Sequence, residues 1–148
     1  MFRVIQVKQI QAIDCYPIRQ QVLWQHKAIA ECGIDIDSQE GAFHLGAFLN
    51  EELVCIASFF KQKNPQFNHA KQYRLRAMAT LPIAQKKGTA KSLVEFAVQK
   101  LQSEHQDLLW CDARIVATGF YNKLGFSTKG SSYEIPIIGT HYLMYRQL

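Results

Sequence analysis

The sequence predicts an α+β fold, a mixed and mostly antiparallel central sheet flanked by helices, on three observations. Gly41 to Leu49 and Leu53 to Lys61 are both β-rich, and only Asn50-Glu51-Glu52 separates them, room for a hairpin and nothing longer. Ala90, Leu93, Val94, Ala97, Val98 and Leu101 fall at i, i+3, i+4, i+7, i+8 and i+11, one apolar stripe of a helix. Leu108 to Ala113 follows as a short apolar run suited to a buried strand, so strand, helix and strand succeed one another before two further strand-like segments.

Taken in chain order, Met1 to Lys8 alternates like a strand and lacks the apolar stretch of a signal peptide. Ile10, Ile13, Ile18 and Val22 carry a helical spacing that Pro17 must start or kink, which predicts one or two short helices ending near Gly33. After the hairpin, Asn64-Pro65 and the polar stretch to Lys71 form a loop. Tyr73, Leu75, Ala77 and Ala79 then alternate with Arg74, Arg76, Met78 and Thr80, the pattern of a two-faced strand. Beyond the long helix and the buried strand, Ala117, Phe120, Tyr121 and Leu124 repeat the helical spacing before Gly125, a C-terminal cap. Ser131 to Ile137 and His141 to Arg146 complete the sheet as two strands joined through Gly139.

Composition limits the function classes. With 148 residues, 48% of them hydrophobic, and no linker or repeat, the chain reads as one domain spanning 1–148. No window is long and apolar enough to span a bilayer, so a cytoplasmic protein with no membrane partner is expected. Cys15, Cys32, Cys55 and Cys111 are too scattered to chelate zinc or form a redox dithiol, so no metal site is expected and buried, reduced thiols are. The net charge of +5 suits nucleic acid, membrane headgroups or a polyanionic small molecule. Because Lys86, Lys87 and Lys91 crowd one Gly-containing turn instead of forming a long basic stripe with interleaved aromatics, nucleic acid is not the expected partner.

That turn, Pro82 to Ala90, feeds the long helix. A helix start presents unpaired N–H groups and a partial positive charge, and acidic residues normally settle it. Here the first turn has lysines and no carboxylate, an arrangement that a bound phosphate would relieve. A nucleotide-binding P-loop is excluded, because Gln85 and Ala90 replace both glycines which that motif requires.

Thr80-Leu81-Pro82 followed by Gln85-Lys86-Lys87-Gly88-Thr89-Ala90 resembles the V-x-P-x-x-R/Q-x-x-G-x-G/A core of the GNAT superfamily of N-acetyltransferases, spacing included. Ala117-Thr118-Gly119-Phe120-Tyr121-Asn122-Lys123-Leu124-Gly125-Phe126 resembles that superfamily's A-x-x-F-Y-x-x-L-G-F segment, one helix and one strand downstream. Trp110 to Arg114 and the tail Glu134 to Met144 are similar to a bacterial-type subgroup of unassigned substrate. The resemblance implies the acyl-CoA N-acyltransferase fold and acetyl-CoA as cosubstrate. It places the pyrophosphate on backbone N–H groups from Gln85 through Lys86, Lys87, Gly88, Thr89 and Ala90 to Lys91, and the pantetheine arm along the backbones of Met78 and Thr80. By the same resemblance the N–H of Met78 meets the acetyl oxygen, and Tyr121 is the general acid. Arg114 stands where many members carry an Asn, so it is expected to contact cofactor or acceptor.

The chemistry needs a neutral amine, a stabilised oxyanion and a proton for the departing thiolate. A phenol with a pKa of roughly 10 stays protonated at neutral pH and can supply that proton. The superfamily often places a carboxylate on the strand before the turn, but this strand offers Arg74 and Arg76. Glu134, His141, His44 and Asp112 remain candidate bases, with His141 favoured for a pKa near neutrality and Glu134 beside it. Arg74, Arg76 and Arg114 are candidates for a basic pocket that would take an acidic acceptor. Cys111, in an apolar strand without an adjacent His, reads as a buried hydrophobe and not as an acetyl carrier. The expected function is direct acetyl transfer from acetyl-CoA to an amine, on a small molecule or a peptide. The alternative is a non-catalytic acyl-CoA sensor or interaction module. A homodimer stays open, since oligomeric state is not readable from the chain.

Overall fold

Seven strands form one sheet in the order β1-β2-β3-β4-β5-β7-β6, in a computed structural model that describes residues 4–148. The strands are β1 (Ile5–Ile10), β2 (Phe43–Leu49), β3 (Glu52–Lys61), β4 (Gln72–Thr80), β5 (Leu108–Arg114), β6 (Ser127–Ile135) and β7 (Gly139–Gln147). Every described pairing is antiparallel except that of β4 with β5. The α-helices are α1 (Ala12–Ile18), α2 (Thr89–Ser103) and α3 (Thr118–Lys123). This is the mixed, mostly antiparallel sheet with flanking helices that the pattern predicts; the expected strand residues Met1 to Arg3 lie outside the described residues.

Local chemistry accounts for the well-read elements. The β2–β3 turn places Asn50 at φ 49° and Glu51 at φ 74°, the paired positive values of a tight hairpin whose twist matches its strands. At the end of α3, Gly125 adopts φ 87°, its N–H donates to the Asn122 carbonyl and that of Phe126 to the Tyr121 carbonyl, a Schellman cap. Pro17 sits inside α1, and a π-helical turn, Arg19–Leu23, continues it. The final hairpin is longer than its sequence pattern indicates: β6 begins at Ser127, not Ser131. Its first residues are polar and exposed at the sheet edge, where no buried face imposes alternation.

The two-faced reading of β4 needs a correction. Ile56 pairs with Ala79 and Ser58 with Arg76, so Ala57 opposes two residues, Ala77 and Met78, and Ala77 takes φ 53°. This β-bulge reverses the alternation halfway along the strand. Tyr73 and Leu75 join the core under α2, whereas Ala79 packs with Cys15, Ile18 and Ile56 on the opposite face, beneath α1. One inserted residue therefore changes which face of the sheet each side chain joins.

The larger core lies between the sheet and α2 with α3, where Phe59, Leu93, Leu101 and Leu109 are fully buried. The other face is closed by α1 and its π turn over a polar network. Arg19, wholly buried, donates to Asp37 at 2.7 and 2.9 Å, to Ser58 Oγ at 2.8 Å and to the Cys32 carbonyl at 3.0 Å. Among the described residues no helix is long and apolar enough to cross a membrane.

Candidate active site

The site begins where β4 and β5 part. The two parallel strands pair only from Gln72 to Arg74 against Leu108 to Trp110, and beyond that point a cleft of about 460 Å³ opens between them. The Leu81 N–H donates to the Val54 carbonyl of β3. Strand alternation then turns the main-chain groups of Thr80 and Met78 the other way, into the gap. A strand edge without a strand partner is thus offered to a ligand.

At the end of β4, Pro82–Ala84 forms one 3₁₀ turn, and Gly88 caps α2 at φ 85°. Lys86 is also left-handed, at φ 61°. Among the described residues no acceptor takes the N–H groups of Lys86, Lys87 or Gly88. Successive free amides in a turn that alternates handedness make an anion-binding concavity, and α2 has no acidic residue in its first turn to compete for it. A Cβ on Gly88 would have ample room, 3.8 Å from Ile5 Cδ1, so it is the backbone angle that calls for glycine there. Gln85, Lys86 and Lys91 are exposed around this turn, while Thr89 is buried and Ala90 half-buried at the head of the helix. These residues fit a diphosphate.

The cleft has two chemically different sides. Leu75, Met78, Cys111, Ala113 and Tyr121 belong to the α2–α3 face. Tyr121 is buried on α3 against the rings of Phe120 and Phe126, yet it lines the cleft. Its burial, and then the nearby Cys111 and Cys55, push the phenol well above its ordinary value. Burial likewise raises the Cys111 thiol far above the usual range, so a reactive thiolate is disfavoured at that position. All four cysteines are buried and unpaired.

The opposite side carries Arg74, Arg76, Asp112 and His141, with Trp24 from the end of the π turn as a wall. His141 is 4% exposed, and its Nδ1 lies 2.8 Å from the Gly139 carbonyl. A carbonyl only accepts, so Nδ1 donates to it, and Nε2 has no partner among the described residues. The ring stacks on Tyr133, whose hydroxyl donates to Asp112. Asp112 also accepts from Arg74 at 2.6 Å, and the Arg74 guanidinium lies 4.8 Å from the Trp110 ring centroid.

The candidate bases therefore separate by geometry. Glu134 is exposed, accepts from Thr140 and does not line the cleft. His44 is buried in the Arg19 network, with Nδ1 on Ser58 and Nε2 on the Asp37 carbonyl, so neither nitrogen is available. Asp112 reaches the cleft with its two oxygens engaged. Arg114 is exposed at the end of β5, on the Trp110–Asp112 side by strand alternation. Trp24 and Tyr133 were not indicated by sequence; only the register of Tyr133 opposite His141 would have linked them.

Comparison with known proteins settles the family. Residues 18–138 match the model of the acetyltransferase (GNAT) domain. The chain belongs to the GNAT acetyltransferase family. This GNAT chain is 39% identical to the uncharacterized N-acetyltransferase YitI of Bacillus subtilis (strain 168) over 145 residues, 98% of its own length and 97% of YitI. Its fold is shared by Escherichia coli ElaA, with a TM-score of 0.74 at 16% identity over 97% of this chain and 99% of that one. It is shared too by an acyl-CoA N-acyltransferase from Pseudomonas aeruginosa, with a TM-score of 0.70 at 18% identity over 98% and 99%. The GNAT enzyme is thus an N-acetyltransferase of a family that generally uses acyl-CoA and acetylates amines.

Proposed function

We propose that this GNAT protein transfers an acetyl group from acetyl-CoA to an amine by direct attack across the β4–β5 cleft. The observation that carries the reading is the division of the cleft: a buried phenol on the α3 side, and a histidine with a free Nε2 on the other. Acetyl-CoA would supply the thioester, with its diphosphate on the amides from Gln85 to Lys91 and its arm along Met78 and Thr80. The amine enters from the side of Trp24 and His141. His141 Nε2 takes the proton that the ammonium sheds before its nitrogen forms the C–N bond, the second surplus proton on nitrogen passes to solvent as the amide forms, and the Met78 N–H faces the oxygen on which charge develops. Tyr121 gives its proton to the sulfur as the C–S bond breaks. Solvent returns a proton from His141 to Tyr121, leaving an amide and free CoA. With Cys111 held as a thiol, no acetyl-enzyme is required. Small-molecule and peptide amines are the proposed acceptors. Residues 1–148 act as one catalytic domain, and four unpaired thiols suit the cytoplasm.

Incubation with acetyl-CoA and a broad amine panel should release free thiol above the no-acceptor rate. CoA binding without such release from any amine, peptide or extract would leave a sensor in place of an enzyme. His141→Gln should lower kcat about ten- to a hundredfold at neutral pH. The deficit should narrow as pH approaches the pKa of the amine, which then needs no base. A deficit constant across pH would remove His141 from that role.

A further inference from the structure

Three guanidinium groups, Arg19, Arg74 and Arg76, gather on the acceptor side of the sheet, and two of them are neutralised. Arg19 is held by Asp37 at 2.7 Å, and Arg74 by Asp112 at 2.6 Å. Arg76, half-buried and lining the cleft, has no ion pair and no hydrogen bond among the described residues. It lies beside Ser58, to which Arg19 donates, so a buried cation, itself paired with Asp37, sits behind it. Burial, then the charges of Arg74 and Arg19, hold the Arg76 guanidinium below its ordinary value and outweigh the opposing pull of Asp37 and Asp112. A cation in that setting is short of one negative charge.

The position of Arg76 says what should supply it. It is the last residue before the Ala77–Met78 bulge, so it stands one step from the main-chain groups that turn into the gap. The lysines of the α2 turn are on another part of the molecule, at the far end of β4. We infer that the acceptor amine carries a carboxylate, and that this carboxylate is received by the fork of Arg76 while His141 faces the amine. A planar guanidinium offers two parallel N–H groups, which match the two oxygens of a carboxylate. Arg74 spends one guanidinium nitrogen on Asp112 and another on Gln62, and Arg114 is exposed at the rim, so Arg76 is the group that distinguishes a charged acceptor from a neutral one.

This inference rests on the acetyl-transfer reading for its turnover arm alone. In that arm, amino carboxylic acids are compared with their amides as acceptors, alongside taurine and phosphoethanolamine. Wild type should favour the carboxylate over the matched amide at least tenfold in kcat/KM, and the ratio should collapse toward one in Arg76→Gln. Arg76→Lys, which keeps the charge but not the fork, should retain only part of the preference. In the second arm, succinate and glutarate should raise the melting temperature of the CoA-saturated protein, where succinamide does not, and R76Q should lose the shift. Acids and amides used within twofold of each other, a preference intact in R76Q, or a sulfonate or phosphate favoured over every carboxylate would overturn the inference. If no acceptor releases thiol, the acetyl-transfer reading fails by itself, and the dicarboxylate shift with its loss in R76Q still decides the role of Arg76.

Discussion

Replacing Tyr121 by Phe is expected to lower kcat by about a hundredfold or more while CoA affinity stays within about twofold. The ring is fixed by Phe120, at 5.1 Å between centroids, and Phe126, at 5.3 Å, and Phe preserves both contacts. Only the hydroxyl is lost, on a side chain that lines the cleft and is otherwise buried. Because burial pushes the phenol well above its ordinary value, the acid stays protonated across the working range. Wild-type kcat should therefore show no alkaline decline attributable to this group below about pH 10. The measurement is thiol release under saturating acetyl-CoA, set against CoA binding by the same variant. An unchanged kcat would remove the phenol from the chemistry, and a loss of both quantities would make Tyr121 a packing residue.

The second large effect concerns stability. Asp37→Asn should cost about 3–5 kcal/mol, because Arg19 is wholly buried and would be left without its counter-charge. Global stability of a domain is about 5–15 kcal/mol, so a loss of this size should move the urea midpoint markedly. Burial by itself would raise the Asp37 carboxyl, but the Arg19 hydrogen bonds, the Ile34 N–H and the charges of Arg19 and His44 override it and hold it below the usual range. A carboxyl depressed in the folded state stabilises above its unfolded pKa, roughly 3.9, and that contribution fades as pH falls through the folded value. The gap between wild type and variant should accordingly be full near neutrality and close in strong acid. A difference under about 1 kcal/mol at pH 7 would show that Arg19 is adequately held by Ser58 and the Cys32 carbonyl. The network bears on function through position, since Arg19 opens the π turn that ends at Trp24, a wall of the cleft.

The sites most legible in sequence are those whose parts are close together along the chain. The α2 turn is a run of nine residues, and its lack of carboxylates, its lysines and Gly88 are visible without a fold. The Tyr121 segment is a helix stripe with a glycine cap. The candidate bases were harder to tell apart: His44, Asp112, Glu134 and His141 lie on four different strands, and a sequence does not say which of their polar atoms are already bonded. Register and hydrogen bonding distinguish their surroundings, by tying His44 to Ser58 and Asp37, Asp112 to Arg74 and Tyr133, and Glu134 to Thr140.

Sequence alone determined the order of elements, the hairpin and the long helix with its anion-ready start, because each depends on periodicity or spacing within about one element, while the family followed from the resemblance of two linked motifs. Tertiary structure decided the rest. Whether Ala79 faces the same way as Leu75 depends on a single extra residue opposite Ala57, and a bulge leaves no mark in an alternating pattern. Which of three arginines remains unpaired depends on where Asp37 and Asp112 come to lie across the sheet, a non-local pairing of charges that local periodicity does not encode.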